Sequence, residues 1–129
     1  MEWRFDADPS GGGFYRLYHY KDRYGNDVTH HYDGSSRLTR IDDTLERSTY
    51  FYYDSTNTLL TQVQDWNSRL ITYAYGTRGS VARLTKVTYT DGSNLSYQYD
   101  SSDRLTGIVD PGESDPVAKI FYDGSSKVT

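Results

Sequence analysis

Five tyrosines organise the pattern of apolar and polar positions along this chain. Stepping back by twos from each gives His30 and Val28 before Tyr32, Phe51 and Thr49 before Tyr53, and Tyr73 and Ile71 before Tyr75. The same step gives Tyr97 and Leu95 before Tyr99, and Ile120 and Ala118 before Tyr122. These positions are mostly apolar. The positions between them, such as His31 and Thr29, Tyr52 and Tyr50, or Gln98 and Ser96, are more polar. A period of two is that of a strand with one packed face and one wetter face. No segment combines helical apolar spacing with caps. The pattern predicts an all-β chain of antiparallel β-hairpins forming a curved sheet or ribbon.

The tyrosines also mark an internal repeat. They follow one another at steps of 21, 22, 24 and 23 residues, and four are followed by aspartate: Tyr32-Asp33, Tyr53-Asp54, Tyr99-Asp100 and Tyr122-Asp123. Tyr75-Gly76 holds the remaining place. After the first four anchors comes a second motif, Leu-Thr-x-(Ile/Val), beginning at Leu38, Leu60, Leu84 and Leu105, with Arg37, Arg83 and Arg104 just before three of them. Self-similarity at a fixed period is the mark of a repeat architecture. Each unit reads as two strands joined by polar turns such as Asp33-Gly34-Ser35-Ser36, Asp42-Asp43-Thr44 and Thr90-Asp91-Gly92-Ser93, residue types that accept left-handed or self-bonded backbone. The leucine and the Ile/Val lie three residues apart. That spacing requires either a bulge or burial on both faces, and the sequence leaves both open.

The layout that follows is an N-terminal extension over 1–13, broken by Ser10-Gly-Gly-Gly13, and about five hairpin repeats over 14–129. The chain ends inside another copy, Asp123 to Thr129, as a piece cut from a longer array would.

Composition changes this picture little. Hydrophobic residues make up 35% of the chain, but 14 are Tyr, whose rings bury area while their hydroxyls need partners. Of 18 acidic residues 15 are Asp, the turn former, and the net charge is -4 with no like-charge block, so no nucleic-acid footprint is expected. There is no Cys, which excludes disulfides and thiolate metal sites. Met1 to Ser10 lacks the apolar stretch of a signal peptide, and no run is long enough to span a membrane as a helix.

Candidate chemistry is sparse. His30 and His31 are adjacent, so in a strand they point to opposite faces and cannot readily share a metal; His19 could approach one of them across a hairpin. The repeated aspartates read as caps of their own turns, because catalysis needs one asymmetric site rather than five equivalent ones. Asp110-Pro111-Gly112 reads as a turn. Tyr50, Tyr52, Trp66 and Gln98 are the candidate surface for a ligand such as a sugar, against the plainer reading of cross-strand packing. No catalytic, metal or cofactor site is expected.

The Tyr-Asp and Leu-Thr residues, above all His31-Tyr-Asp-Gly-Ser-Ser-Arg-Leu-Thr39 and Tyr97-Gln-Tyr-Asp-Ser-Ser-Asp-Arg-Leu-Thr106, resemble the RHS/YD-repeat family over roughly residues 14–129. That family includes bacterial RHS and wall-associated proteins, the C-components of toxin complexes and the teneurins. The resemblance implies a long β-ribbon spiralling into a hollow shell, which in the toxin members encloses a cargo polypeptide. It also implies a secreted or cell-surface setting as part of a larger protein. This chain departs from the pattern where Ser36 and Asp103 replace the usual turn glycine, where Gly76 replaces Asp, and where the link Thr77 to Val81 is enlarged. The expectation is therefore a structural shell segment and not an enzyme. It should self-associate through sheet edges, with Tyr32, Asp33, Leu38, Tyr53, Asp54, Leu60, Tyr75, Leu84, Tyr99, Asp100, Leu105, Tyr122 and Asp123 as its repeat framework. The alternative is an adhesin-like module that binds carbohydrate or a cell-surface protein.

Overall fold

The structure is a computed structural model, and it describes residues 1–7, 13, 15–56, 58–78 and 81–129. The glycine-rich break at Ser10 to Gly12 and the strand start at Phe14 lie outside the described residues. The chain divides into two compact units, Met1–Leu70 and Ile71–Thr129.

The first unit holds β1 (Glu2–Ala7), β2 (Tyr15–Lys21), β3 (Asp27–Tyr32), β4 (Leu38–Asp42), β5 (Ser48–Tyr53) and β6 (Leu60–Gln64). Each strand pairs antiparallel with the next in the chain. The second unit holds β7 (Leu70–Arg78, entering from the last residue of the first unit), β8 (Val81–Thr88), β9 (Asn94–Tyr99), β10 (Leu105–Val109) and the short β11 (Ala118–Lys119). These too pair antiparallel in order. The expected all-β hairpin architecture is what the chain forms. Two expectations need correction. Residues 2–7 form a strand, where the sequence reading left an extension. The Thr77 to Val81 link is not simply enlarged: Thr77 pairs with Ala82 and Arg78 with Val81, so both strands lengthen instead.

The three-residue leucine spacing is resolved by a bulge. Tyr32 faces Leu38 and His31 faces Arg40, so Thr39 is the extra residue. Thr61, Thr85 and Thr106 are extra in the same way. One added residue returns leucine and Ile/Val to the tyrosine face. The threonine hydroxyl then closes the bulge by donating to the opposite carbonyl: Thr39 to His31 at 3.2 Å, Thr61 to Tyr52 at 3.2 Å, and Thr85 to Ala74 at 3.1 Å. The motif carries threonine because a β-branched hydroxyl both suits a strand and reaches that carbonyl.

The turns share one design. Asp33, Asp43, Asp65, Asp100 and Asp123 each donate their N–H to the carbonyl four residues on, at 2.9–3.1 Å, and accept the N–H of the residue three on. That third residue is left-handed throughout: Ser36 (φ 65°), Glu46 (60°), Ser68 (60°), Asp103 (61°) and Ser126 (62°). This is the three-residue hairpin loop, a type I turn followed by one left-handed residue. The last link differs. Residues 110–117 fold back so that Pro116 lies on Gly107, where a Cβ would stand 3.0 Å from the proline ring and 2.9 Å from Gln98 Oε1. Asp110-Pro111-Gly112 is an ordinary turn, with Glu113 N–H donating to the Asp110 carbonyl at 3.2 Å and Gly112 at φ 83°.

Among the described residues only Val87 and Val109 are buried hydrophobics, each 8% exposed. The core is thus a half-buried tyrosine face, and its stability must draw on directional contacts as well as on area.

Candidate functional site

The residues that recur from hairpin to hairpin form a latch. Tyr53, Tyr99 and Tyr122 each donate their hydroxyl to the carbonyl of the leucine that opens the preceding motif. Tyr53 reaches Leu38 at 2.9 Å, Tyr99 reaches Leu84 at 2.8 Å, and Tyr122 reaches Leu105 at 2.9 Å. Tyr32 does the same to Leu17 at 2.9 Å. The hydroxyls that a tyrosine core must satisfy are therefore spent on joining consecutive units. Over the same rings lie the arginines that precede those leucines: Arg37 over Tyr53 at 5.0 Å, Arg104 over Tyr122 at 4.6 Å, and Arg16 over Tyr32 at 4.8 Å. Arg16-Leu17-Tyr18 is thus an earlier copy of the Arg-Leu-Thr motif, with Tyr18 as the bulged residue. The sequence reading missed it because threonine is absent. The 21-residue step from Arg16 to Arg37 was the available signal.

The aspartates fix the arginines. Asp33 Oδ1 accepts the N–H groups of Ser35 at 2.8 Å and Arg37 at 3.1 Å, while Oδ2 takes Arg37 Nε at 2.8 Å. Asp100 repeats this with Ser102 and Arg104, at 2.8, 3.0 and 2.8 Å. Asp43 with Arg47 and Asp65 with Arg69 use the same spacing at the opposite ends of their hairpins. Asp123 caps Ser125 and Lys127. Asp54 caps a longer link through Thr58 at 2.8 Å and Leu59 at 3.0 Å. Tyr75 and Leu60 carry further interactions of their own.

These contacts favour the ionised form of Asp33, Asp43, Asp54 and Asp100. Asp54 is lowered to about 2, first by the Leu59 N–H and then by the Thr56 hydroxyl. Asp33 and Asp43 are lowered first by the side chains of Arg37 and Arg47, and Asp100 first by the Arg104 N–H. A carboxyl depressed in the fold stabilises it fully above its ordinary value of 3.8 and loses that contribution as pH falls through the folded value. Urea midpoints are therefore expected to fall steadily from pH 4 towards pH 2, in the window set by Asp54 at about 2. Asp54→Asn should flatten the low end of that curve. A midpoint constant across the window would contradict the capping role.

The histidines do not gather. His19 pairs with Asp27, and His31 Nε2 lies 2.6 Å from Asp42 Oδ2 and 3.1 Å from Arg40 Nη2. Asp42 also accepts from Ser48 at 2.7 Å and pairs with Arg40 at 3.0 Å. His30 lies on the other face, and burial pushes its imidazole below the ordinary value. Among the described residues no three His, Asp or Glu are placed to hold a metal.

Of the candidate binding surface, Tyr50, Tyr52 and Trp66 are exposed in the first unit, and Gln98 is exposed in the second. Tyr50 and Trp66 line one shallow hollow with Glu46 and Arg47. Arg47 lies over the Trp66 ring at 5.6 Å, on a surface that a sugar would use for stacking. Tyr52 donates to Gln64 Oε1 at 3.2 Å.

Residues 83–114 match the family model of the RHS repeat. Over that stretch the chain is similar to the RHS repeat, in line with the resemblance of its Tyr-Asp and Leu-Thr residues. The matched stretch runs from Arg83 and Leu84, through the Tyr99–Leu84 latch and the Asp100–Arg104 turn, to the loop after β10. No curated protein matches the chain. No helix among the described residues is long and apolar enough to cross a membrane.

Proposed function

We propose that this chain is a wall segment of an RHS-type shell, secreted or held at the cell surface as part of a larger protein, and that the shell encloses a cargo polypeptide. The RHS repeat is a structural repeat, and the geometry here fits that role. The observation that carries the reading is the tyrosine latch: Leu17, Leu38, Leu84 and Leu105 each supply a carbonyl that the next tyrosine completes, and Arg16, Arg37 and Arg104 lie over that tyrosine at three of them. Such an array extends by adding copies, because every unit presents an unfinished contact.

The segment also has an open edge in its first unit. β1 pairs with β2 on one side and carries Trp3 and Phe5, each 53% exposed. Unpaired N–H and C=O groups beside exposed aromatics form a template for further pairing. Light scattering on a sizing column is expected to show a dimer or a growing oligomer series as concentration rises. Phe5→Lys should shift it towards monomer. Negative-stain images of the assembled species are expected to show hollow particles. A compact monomer at all concentrations would overturn the assembly, and solid particles would overturn the enclosure.

A further inference from the structure

In the hairpin of β7 and β8 the repeat loses its aspartate. Tyr75 faces Leu84 and Gly76 faces Arg83, as Tyr32 faces Leu38 and Asp33 bonds Arg37 in the first unit. Gly76 therefore stands where the carboxylate stands elsewhere. The reason is local. The strands continue beyond this pair, so no turn N–H groups need a cap, and a Cβ at Gly76 would meet Thr85 Cγ2 at 3.0 Å.

The consequence falls on Arg83. Arg37 and Arg104 are each held by a carboxylate and laid over a tyrosine ring. Among the described residues the Arg83 side chain makes one hydrogen bond, from Nη1 to the carbonyl of its neighbour Ala82 at 3.2 Å. Among the described residues it has no ion pair and no ring beneath it. Residues 79 and 80, outside the described residues, are Gly and Ser and add no acid. Beside Arg83 lies a hollow of about 150 Å³ lined by Gly76, Thr77, Thr85, Tyr99 and Asp103.

We propose that this hollow binds one carboxylate, from a small carboxylic acid or from an Asp or Glu side chain of a polypeptide, with Arg83 as its partner. A planar guanidinium presents a fork of donors that matches a carboxylate. Thr77 adds a hydroxyl at the exposed rim, and the Tyr99 ring supplies an apolar wall. Tyr99 and Thr85 have their hydroxyls committed to Leu84 and Ala74. Asp103 faces the same hollow without pairing to Arg83, and its charge opposes the ligand.

The arginine Nε–H signals of the labelled full chain report on this directly. Sodium acetate, titrated against sodium chloride at matched ionic strength, should move the Arg83 signal saturably. Arg37 and Arg104 should stay still. A blocked peptide with one Glu forms the second arm: a stronger response to it than to acetate assigns the site to polypeptide side chains, and the reverse to small acids. Asp103→Asn should strengthen the response. Gly76→Asp should abolish it and bring the Arg83 signal to the region of Arg37 and Arg104. Thr85→Ser added to Gly76→Asp relieves the methyl contact if the single variant folds poorly. An equal response to chloride, or equal movement of all three arginines, would overturn the site.

Discussion

Replacing Tyr53 by Ala is expected to destabilise the protein by about 3 kcal/mol, and replacing it by Phe by about 1 kcal/mol. The two figures separate two roles of one side chain. The phenylalanine variant keeps the half-buried ring and the Arg37 stacking but removes the hydroxyl that satisfies the Leu38 carbonyl. A lost hydrogen bond of this kind costs about 0.5–1.5 kcal/mol, and more where the orphaned carbonyl stays dry. The alanine variant also loses the ring from a face with little else to fill it, since among the described residues the first unit has no fully buried hydrophobic side chain. Equilibrium urea unfolding measures both. Tyr99→Phe, which orphans Leu84, should match Tyr53→Phe because the latch is the same. A neutral Tyr→Phe change at both positions would mean that water satisfies these carbonyls equally well, and the latch would not be a source of stability.

The second large effect runs towards stability. Replacing Ser36, Glu46, Ser68, Asp103 and Ser126 together by Gly should raise stability by about 2–4 kcal/mol. Each sits at φ 60–65°, where an L side chain crowds its own carbonyl. That conformation costs about 1–2 kcal/mol, and glycine returns part of the gain, about 0.5–1 kcal/mol, through its freer unfolded chain. Ser126 meets Arg104 of the Asp100 turn at 3.1 Å, so those two sites should couple, while substitutions at turns far apart should nearly add. Glu46 should respond most per site, because it lacks the short polar side chain that eases this conformation for Asp. Thermal unfolding of the five single variants and the combination checks this. As a control, Gly25→Ala and Gly92→Ala, at φ 90° and 84°, should each lower stability. A combined variant no more stable than the parent would show that the left-handed residues are not strained.

Much of the architecture was legible before any coordinates. The two-residue period back from Tyr32, Tyr53 and Tyr99 identified strands, and the near-constant step between tyrosines identified hairpin repeats. Both signals are local, and both follow from the pleat. The caps were legible too, because aspartate before Gly-Ser or Ser-Ser has few other uses. The turn at Asp43 was legible from Asp42-Asp43-Thr44, but the Asp-x-x-x-Arg pairings of Asp43 with Arg47 and of Asp65 with Arg69 were less so. They share the spacing of Asp33 to Arg37 but lie at the other end of the hairpin, away from the Tyr-Asp signal that drew attention. The strand Glu2–Ala7 was missed because Trp3 and Phe5 alternate over too short a stretch to outweigh the glycines that follow.

The sequence by itself determined the strand content, the turn positions and the repeat, since these depend on side-chain period and on backbone preferences within a few residues. Only the tertiary structure decided where the tyrosine hydroxyls go and what lies on the rings. The bond from Tyr53 to Leu38 spans 15 residues and depends on register, and register depends on the bulge at Thr39. A bulge is a choice between two backbone paths that the Leu-Thr-x-Ile spacing permits equally. Pairing with the opposite strand decides between them, so that strand must first be in place, and at Thr39 the threonine bond then closes the bulge. For the same reason the loss of Asp at Gly76 could be read as a variation in sequence, whereas its effect on Arg83 could be read only once the two residues faced each other.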